Sequence, residues 1–471
     1  MRIVIENFGP IQNCEFDLEK DLHLIVGENN VGKSYAITVV YLVVKSILSL
    51  KEYPFLRHFD LPTLVPSLHQ LSDKSETKQE IDISSEVCSV LSELLDKTFL
   101  QVLHDSFVAT FDSIHNLQSQ FSDEPINLKL RTDDFYLQIG IKDKKLAIIS
   151  LELNKVVKLR TIAKQNREPK FTDNEIIIYH SLSNKDVAFQ FAERTIAAIF
   201  YSFVSEISDR IKSVHYLPAS RSGLYQALSA FGQIMAELSR SRSFLTRKIE
   251  LPGISEPLSD YFLKLTEINV ARRVFEGHSL NEVANKIETQ ILKGKVDFDS
   301  KTKKIIYTPS NTNLKLDLSS TSSMVSEIAP IVSYLRYVLT QPTRRNPYVI
   351  GKIDKEPTVS KHLVLIEEPE AHLHPEVQIK MMDIFSDLVN QGVKIIITSH
   401  SNYIFNKANN LILEGNIDIN NLSASVFKMH GNGSCGHAIE TDELGISDDN
   451  FINASELLYD EKIKLIEKLN A

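Results

Sequence analysis

At roughly 150 residues per domain, the 471-residue chain has room for about three structural units. Its 61 acidic side chains outnumber 52 basic ones, giving a net charge of −9 and a pI near 5.9, so it is not a uniformly basic nucleic-acid coat, although a local basic patch remains open. With 43% hydrophobic and 24% charged residues, the composition is that of an ordinary folded protein and not of a disordered one.

The most apolar stretch, around Ile37 to Val44, ends at Lys45, well short of the about 18 apolar residues a membrane span needs, so no membrane attachment is expected. The opening MRIVIENFG lacks the charged-then-apolar pattern of a secretory signal. Cys14, Cys88 and Cys435 are far apart and form no C-x-x-C pair. That argues against a disulfide framework and a structural zinc site, and a reducing cytoplasm is the expected location.

Residues 1–34 read as strands feeding a phosphate loop: Ile3 and Ile5, then Cys14, Phe16 and Leu18, then Leu22, Leu24 and Val26 alternate with mostly polar neighbours. Residues 35–50 turn helical. From about Lys51 to Gln120 the chain becomes polar and helix-forming, with the clearest 3.6-residue period in SELLDKTFLQVLHDSF, as in an insertion. Residues 126–160 switch to period two, with Ile126, Leu128 and Leu130 on one face, Phe135, Leu137, Ile139 and Ile141 on another, and a turn at Asp133-Asp134. A long helix is predicted from about Asp186 to Ile211, then a strand in VHYLPASRSG ending in a Pro/Gly-containing loop. Residues 225–293 read as mostly helical. KVDFDSKTKKIIYTPSNTNLKLDL reads as a hairpin with a third short strand, leading through a Ser-rich loop to a helix near 324–340. Two apolar strands, Leu363–Ile366 and Ile395–Ile397, flank a helix opened by Pro375, and runs this apolar suit strands covered by helices on both faces. There is no internal repeat and no low-complexity tract.

Three of these segments carry chemistry. Gly27-Glu28-Asn29-Asn30-Val31-Gly32-Lys33-Ser34 fits G-x-x-x-x-G-K-[ST] between an apolar strand and a helical run, the context that pattern requires. Its glycines let successive N–H groups face phosphate oxygens at a helix N-terminus, with Lys33 at the β/γ-phosphates and Ser34 as a Mg²⁺ ligand. In LVLIEEPE the carboxylates stand at a strand's end, where an open α/β sheet places its ligand chemistry. Glu367 suits Mg²⁺ through its water shell, and Glu368 suits a general base beside the γ-phosphate. IIITSH ends a second buried strand with His400 at its tip, able to donate a hydrogen bond to the γ-phosphate.

Taken in order, GENNVGKS, SSTSSMVSE, IEEPEAHLHPE and ITSHS resemble the ABC-type ATPase heads of the RecF/SMC group, most closely the OLD-like AAA ATPases, with IENFGPI and YLPASR adding to the likeness. The resemblance covers roughly residues 1–50 and 210–410. It implies an α/β fold, an ABC-type P-loop ATPase head with a mainly parallel central sheet, N-terminal antiparallel strands and large helical insertions. It divides the chain into 1–50, the N-terminal part of the head with Walker A; 51–210, a helical insertion with a small β-meander; 211–310, a helical lid or arm and hairpin; 311–410, the C-terminal part with signature, Walker B, D-loop and switch histidine; and 411–471, a C-terminal extension. Lys33 and Ser34 take the Walker A positions, Glu367 the Walker B acid, Glu368 the catalytic glutamate and His400 the switch histidine. Ala371–Pro375, with His374, matches the D-loop crossing a dimer interface, and Ser322 and Ser323 occupy the signature position, where a Ser-capped helix would aim its N–H groups at the partner's γ-phosphate.

Two departures accompany the resemblance. Glu367 stands where Asp is usual, and the signature loop has no glycine, with Pro330 expected to kink or shorten its helix. Slow ATP turnover is therefore expected, and a purely structural reading of the Ser-rich loop stays open. Arg221 is read either as approaching the nucleotide or the moving insertion, or as a surface salt bridge. Arg240, Arg242, Arg247, Lys248, Arg272 and Arg273 form the best basic surface, either a salt-sensitive phosphate contact to DNA or solvated helix faces.

The resemblance implies a homodimer or higher homo-oligomer that uses ATP and Mg²⁺. The roughly 70 residues after His400 hold no D-x-D plus Glu metal constellation, so no nuclease domain is expected in this chain. The likeness then points to stand-alone ATPase subunits of Septu-type and PARIS-type antiphage systems, acting with a separately encoded effector such as a nuclease or toxin. The alternative is a RecF-like DNA-repair ATPase that clamps DNA. A transporter motor is disfavoured by the large insertions.

Overall fold

In the computed structural model the N-terminal alternation forms β1 (Arg2–Phe8) and β2 (Ile11–Asp17), antiparallel, with Ile3 opposite Phe16 and Ile5 opposite Cys14. The structure describes residues 1–52, 80–119, 124–162, 170–172, 174–181, 185–226, 254–268, 278–340, 361–431, 433–447 and 451–469. β3 (Leu22–Gly27) runs through the glycine loop into α1 (Lys33–Ser49). β4 (Glu80–Asp82) precedes α2 (Ser84–Leu95) and α3 (Gln101–Phe111), which are joined by a wide turn at Asp96–Leu100. The expected meander is β5 (Asn127–Arg131), β6 (Phe135–Lys142) and β7 (Lys145–Leu153), turning at Asp133-Asp134 as read. β8 (Val156–Ile162), β9 (Lys170–Phe171) and β10 (Glu175–Ser181) lead to the long helix α4 (Lys185–Ser208) and to β11 (Ile211–Leu217). Then come α5 (Glu256–Thr266), α6 (Ser279–Ile287), the hairpin β12 (Gly294–Asp299) and β13 (Lys304–Pro309) with its third strand β14 (Leu316–Asp317), and α7 (Ser323–Ser333). The C-terminal part holds β15 (Lys361–Glu367), α8 (Pro375–Asn390), β16 (Val393–Ser399), α9 (Asn402–Leu413), β17 (Leu422–His430), β18 (Gly433–Ala438), the short β19 (Thr441–Asp442) and β20 (Gly445–Ile446), and α10 (Ile452–Leu469).

Two compact units emerge. The first contains Met1–Leu18 and Leu42–Ser213. Its antiparallel strands run in the order β2-β1-β5-β6-β7, and a smaller sheet runs β4-β8-β10-β9. Period-two alternation explains the antiparallel strands: Leu128, Leu130, Leu137 and Ile139 are buried while Lys129, Arg131, Tyr136 and Gln138 are wetter. Helix α4 packs by aromatic edges, the Phe203 ring standing T-shaped to both Phe99 and Phe135 at centroid distances of 6.5 and 5.4 Å.

The second unit contains Glu19–Tyr41, Val214–Arg344 and Lys361–Ala471. Its sheet runs β11-β15-β16-β3-β17-β18. β15, β16, β3 and β17 are mutually parallel, with Ile366 opposite Ile397, Ile397 opposite Leu24, and Leu24 opposite Ala424. All six residues of β3 are buried, so the alternation read there understates a strand covered on both faces. Leu24, Val26, Ile366, Ile395, Phe385 and Phe405 share one hydrophobic core.

At the starting ends of these strands, Asp21 draws in two lysines. Lys394 Nζ donates to Asp21 Oδ1 at 2.9 Å and to the carbonyls of Glu19 and Lys20, while Lys361 Nζ reaches Asp21 Oδ2 at 2.7 Å. Burial pushes the Asp21 carboxyl up, but the hydrogen bonds and charges of Lys361 and Lys394 win and hold it below its ordinary 3.8. Asp21→Ala should lower unfolding stability by about 3 kcal/mol at pH 7, because Lys394 is left buried without its carboxylate. A depressed carboxyl stabilises above its unfolded pKa and loses that contribution as pH falls through the folded value, so the gap between wild type and variant in urea melts should narrow below about pH 4.

Candidate functional site

The phosphate loop leaves β3 at Gly27, whose φ of +143° and contact with the backbone of Phe427 on β17 exclude any side chain. Gly32, at φ +84°, turns the chain into α1, and its carbonyl accepts the first helical bond from Ala36 N at 3.0 Å. Between them Glu28, Asn29 and Asn30 are exposed and Val31 is buried as an anchor. Lys33 folds back over the loop, its Nζ donating to the Gly27 carbonyl at 3.0 Å and the Glu28 carbonyl at 2.6 Å. Burial lowers its pKa to about 8, against the upward pull of Glu368, Glu370 and Glu28. Ser34 is exposed in the first turn of α1.

The ends of β15 and β16 face the same edge because both strands run parallel to β3. One Glu367 carboxylate oxygen, Oε2, accepts the Ala219 N–H at 3.2 Å. The Tyr216 hydroxyl, 3.1 Å from Thr38 Oγ1, lies within the electrostatic reach of the Glu367 carboxylate. Burial first, and Glu367 second, push the Tyr216 hydroxyl well above its usual pKa, so it stays a donor. Thr38 lies one helical turn beyond Ser34, on the same face of α1. Tyr216 therefore stands between α1 and Glu367.

Glu368 leaves the strand with φ +39° and donates its N–H to the Thr398 carbonyl at 3.0 Å. Its Oε1 is 3.5 Å from His400 Nε2. The His400 hydrogen bond, opposed by burial and helped by the charges of His400, Lys33 and Arg221, holds the carboxyl below its ordinary range. Glu370, not singled out in the sequence, accepts the His400 N–H at 2.5 Å and the Ser399 hydroxyl at 2.9 Å, while burial raises its own pKa. The third carboxylate of IEEPE was the available signal. Beyond it, exposed His374 caps α8, its Nδ1 accepting from Glu376 N at 3.4 Å. Gln378 ties this turn to the loop after β16 by donating to the Leu373 carbonyl at 2.8 Å and accepting from the Ser401 hydroxyl at 2.5 Å.

Ser322 caps α7, accepting from Val325 N at 3.4 Å, and Ser323 opens the helix; both are exposed. Pro330, expected to kink or shorten the helix, does not end it: α7 continues to Ser333 and then widens, Leu339 N reaching the Tyr334 carbonyl at 3.0 Å. Every residue from Val325 to Ser333 is buried, so tertiary packing outweighs the bond lost at proline.

Arg221 is neither on the surface nor in an exposed salt bridge. It is wholly buried beside the equally buried Glu327 of α7, Nε to Oε2 3.4 Å. Its Nη1 donates to the Glu367 carbonyl at 3.0 Å and to the Pro218 carbonyl at 2.9 Å, while Nε donates to the Glu327 carbonyl at 3.1 Å. Ser222 Oγ donates to Glu327 Oε1 at 2.6 Å. The guanidinium thus pins α7 to the end of β15. Arg240, Arg242, Arg247, Lys248, Arg272 and Arg273 lie outside the described residues.

Residues 1–405 match the AAA ATPase domain family. The chain belongs to that family. ATP binding and hydrolysis are therefore the activity of this ATPase, on an α/β fold with a large mixed sheet. Comparison with curated proteins gave no match. Among solved structures, this ATPase is similar to an SMC head bound to the C-winged helix domain of ScpA, at 10% identity and a TM-score of 0.36 over 93% of this chain and 97% of that one. It is also similar to the SMC head domain from Thermotoga maritima, at 12% identity and a TM-score of 0.34 over 93% and 98%. Among the described residues no helix is long and apolar enough to cross a membrane.

The oxygen donors of Ser34 and Glu367 fit Mg²⁺, a hard cation usually held by one or two protein oxygens together with phosphate and water. Among the described residues, no group of three or more His, Cys, Asp or Glu is arranged to hold a metal.

Two outcomes follow from the buried charges. Glu327→Gln should cost about 3 kcal/mol or more in thermal or urea unfolding, since it leaves Arg221 buried without its counter-charge. Lys33, depressed to about 8 from 10.5, sheds its proton in the folded state before the unfolded one. Without nucleotide, the stability of wild type relative to Lys33→Met should therefore rise with pH between about 8 and 10.5. A flat difference across that window would show Lys33 to be solvated.

Proposed function

We propose that this ATPase is a nucleotide-driven molecular switch in which two copies pair head to tail, each ATP lying between the phosphate loop of one and the Ser322–Ser323 loop of the other. One juxtaposition carries the reading: Lys33 lies within the electrostatic reach of Glu368 and Glu370, and His400 stands 3.5 Å from Glu368, at one sheet edge.

In this reading the loop Gly27–Ser34 wraps the phosphates with backbone N–H groups, and Lys33 exchanges its carbonyl partners for β/γ-phosphate oxygens. Ser34 and Glu367 would hold Mg²⁺, which supplies charge neutralisation at the phosphates. Glu368, kept ionised by its surroundings, accepts the proton of the attacking water. His400 donates to the γ-phosphate, oriented by the grip of Glu370 on its backbone N–H. His374 and its turn reach toward the second copy. Catalysis is then mostly positioning and electrostatics, and turnover is slow.

The resemblance to stand-alone Septu-type and PARIS-type subunits supports a further role, as the sensor of an antiphage system that controls a separately encoded nuclease or toxin. Lys33→Ala should abolish nucleotide binding. Glu368→Gln should bind ATP normally, hydrolyse it about 100-fold or more slowly, and accumulate a dimer by size-exclusion chromatography with light scattering. Equal hydrolysis by wild type and Glu368→Gln would remove Glu368 from the mechanism. The effector role is read separately, from the mass of the complex purified at native expression with and without ATP. Finding the ATPase alone in both states would refute the effector role and leave the switch intact.

A further inference from the structure

The β17–β18 hairpin carries two histidines that take no part in nucleotide chemistry. Its register sets Val426 opposite His437, Lys428 opposite Cys435 and His430 opposite Gly433. These six positions share one face of the ladder, so His430 and His437 flank the Lys428–Cys435 pair. Both histidines are exposed, and no surrounding core presses them together. Their rings nevertheless lean over the intervening pair until the Nε2 atoms are 3.2 Å apart, with centroids 5.4 Å apart and planes at 76°. Gly433, opposite His430, contributes no side chain that would cover the space above it.

We propose that His430 and His437 form a binding site for a divalent transition-metal ion of the zinc class. Two imidazole nitrogens bound to one tetrahedral zinc at about 2.0–2.1 Å lie about 3.3 Å apart, close to the spacing found here. Imidazole is a donor suited to zinc, copper and nickel and not to magnesium, so this site and the nucleotide edge select different cations. The described residues contain no ready group of three protein ligands, so the two imidazoles supply the protein donors and water fills the remaining positions. The ion would staple the hairpin three residues beyond Phe427, whose backbone backs Gly27 of the phosphate loop. Nothing in this site depends on the roles assigned to Lys33, Glu368 or His400.

The test is zinc chloride titration of the full-length, tag-free protein without nucleotide, followed by calorimetry and thermal melting. Wild type should bind one Zn²⁺ per chain through this hairpin and melt at a higher temperature with zinc. His430→Ala and His437→Ala should each weaken that binding by about tenfold or more and lose the thermal shift. His115→Ala, an exposed histidine elsewhere, should behave as wild type. No zinc-dependent shift in wild type, or an equal shift in the His430→Ala/His437→Ala double variant, overturns the proposal and leaves the pair as a plain imidazole–imidazole hydrogen bond.

Discussion

Parallel pairing of β3 with β16, and of β16 with β15, is the constraint on which the site depends. Parallel strands end at the same edge, so Gly27, Glu367 and Ser399 are delivered there by backbone hydrogen bonds alone. A different turn follows each strand, with a glycine loop after β3, a carboxylate turn after β15 and a histidine after β16. The core that holds the ladder is apolar on both faces, and the remote ends are clasped by Asp21 with Lys361 and Lys394. The lysine clasp and the candidate site residues thus occupy opposite ends of the same strands.

Polar links behind the edge join elements that the ladder alone would leave independent. Tyr216 is bonded to Thr38 on α1 and lies within the electrostatic reach of Glu367. Arg221 spans from Glu367 to Glu327 on α7. Glu370 joins the carboxylate turn to the backbone of His400, and Gln378 joins the following turn to Ser401. A buried ion pair such as Arg221–Glu327 is a poor source of net stability, but its geometry fixes where α7 lies relative to the strand end.

What the sequence made legible was local. The phosphate loop, IEEPE and ITSH each combine an apolar strand with its polar terminus in a single short window, so residue type and order sufficed. The meander, the hairpin near residue 300 and the helix at Pro375 were readable for the same reason. What escaped were pairings between distant positions. Arg221 was expected near the nucleotide or the moving insertion, or in a surface salt bridge, and its buried partner Glu327 lies 106 positions away; the clue was the one acid in MVSEIAPIV. β17 and β18 escaped because SVFKMH is half polar, being covered only where it lies beside β3. At Pro330 helix propensity alone favours a shorter helix, and the burial of Val325–Ser333 overrides it.

The backbone at Glu368 has a consequence for how this position tolerates change. A glutamate at φ +39° sits where glycine or asparagine would rest more easily, at an expense of about 1–3 kcal/mol. Selection for heat tolerance alone would therefore push the site toward those smaller residues, and each would forfeit the carboxylate. Glutamate at this position therefore combines a less robust turn with an anionic side chain at the sheet edge.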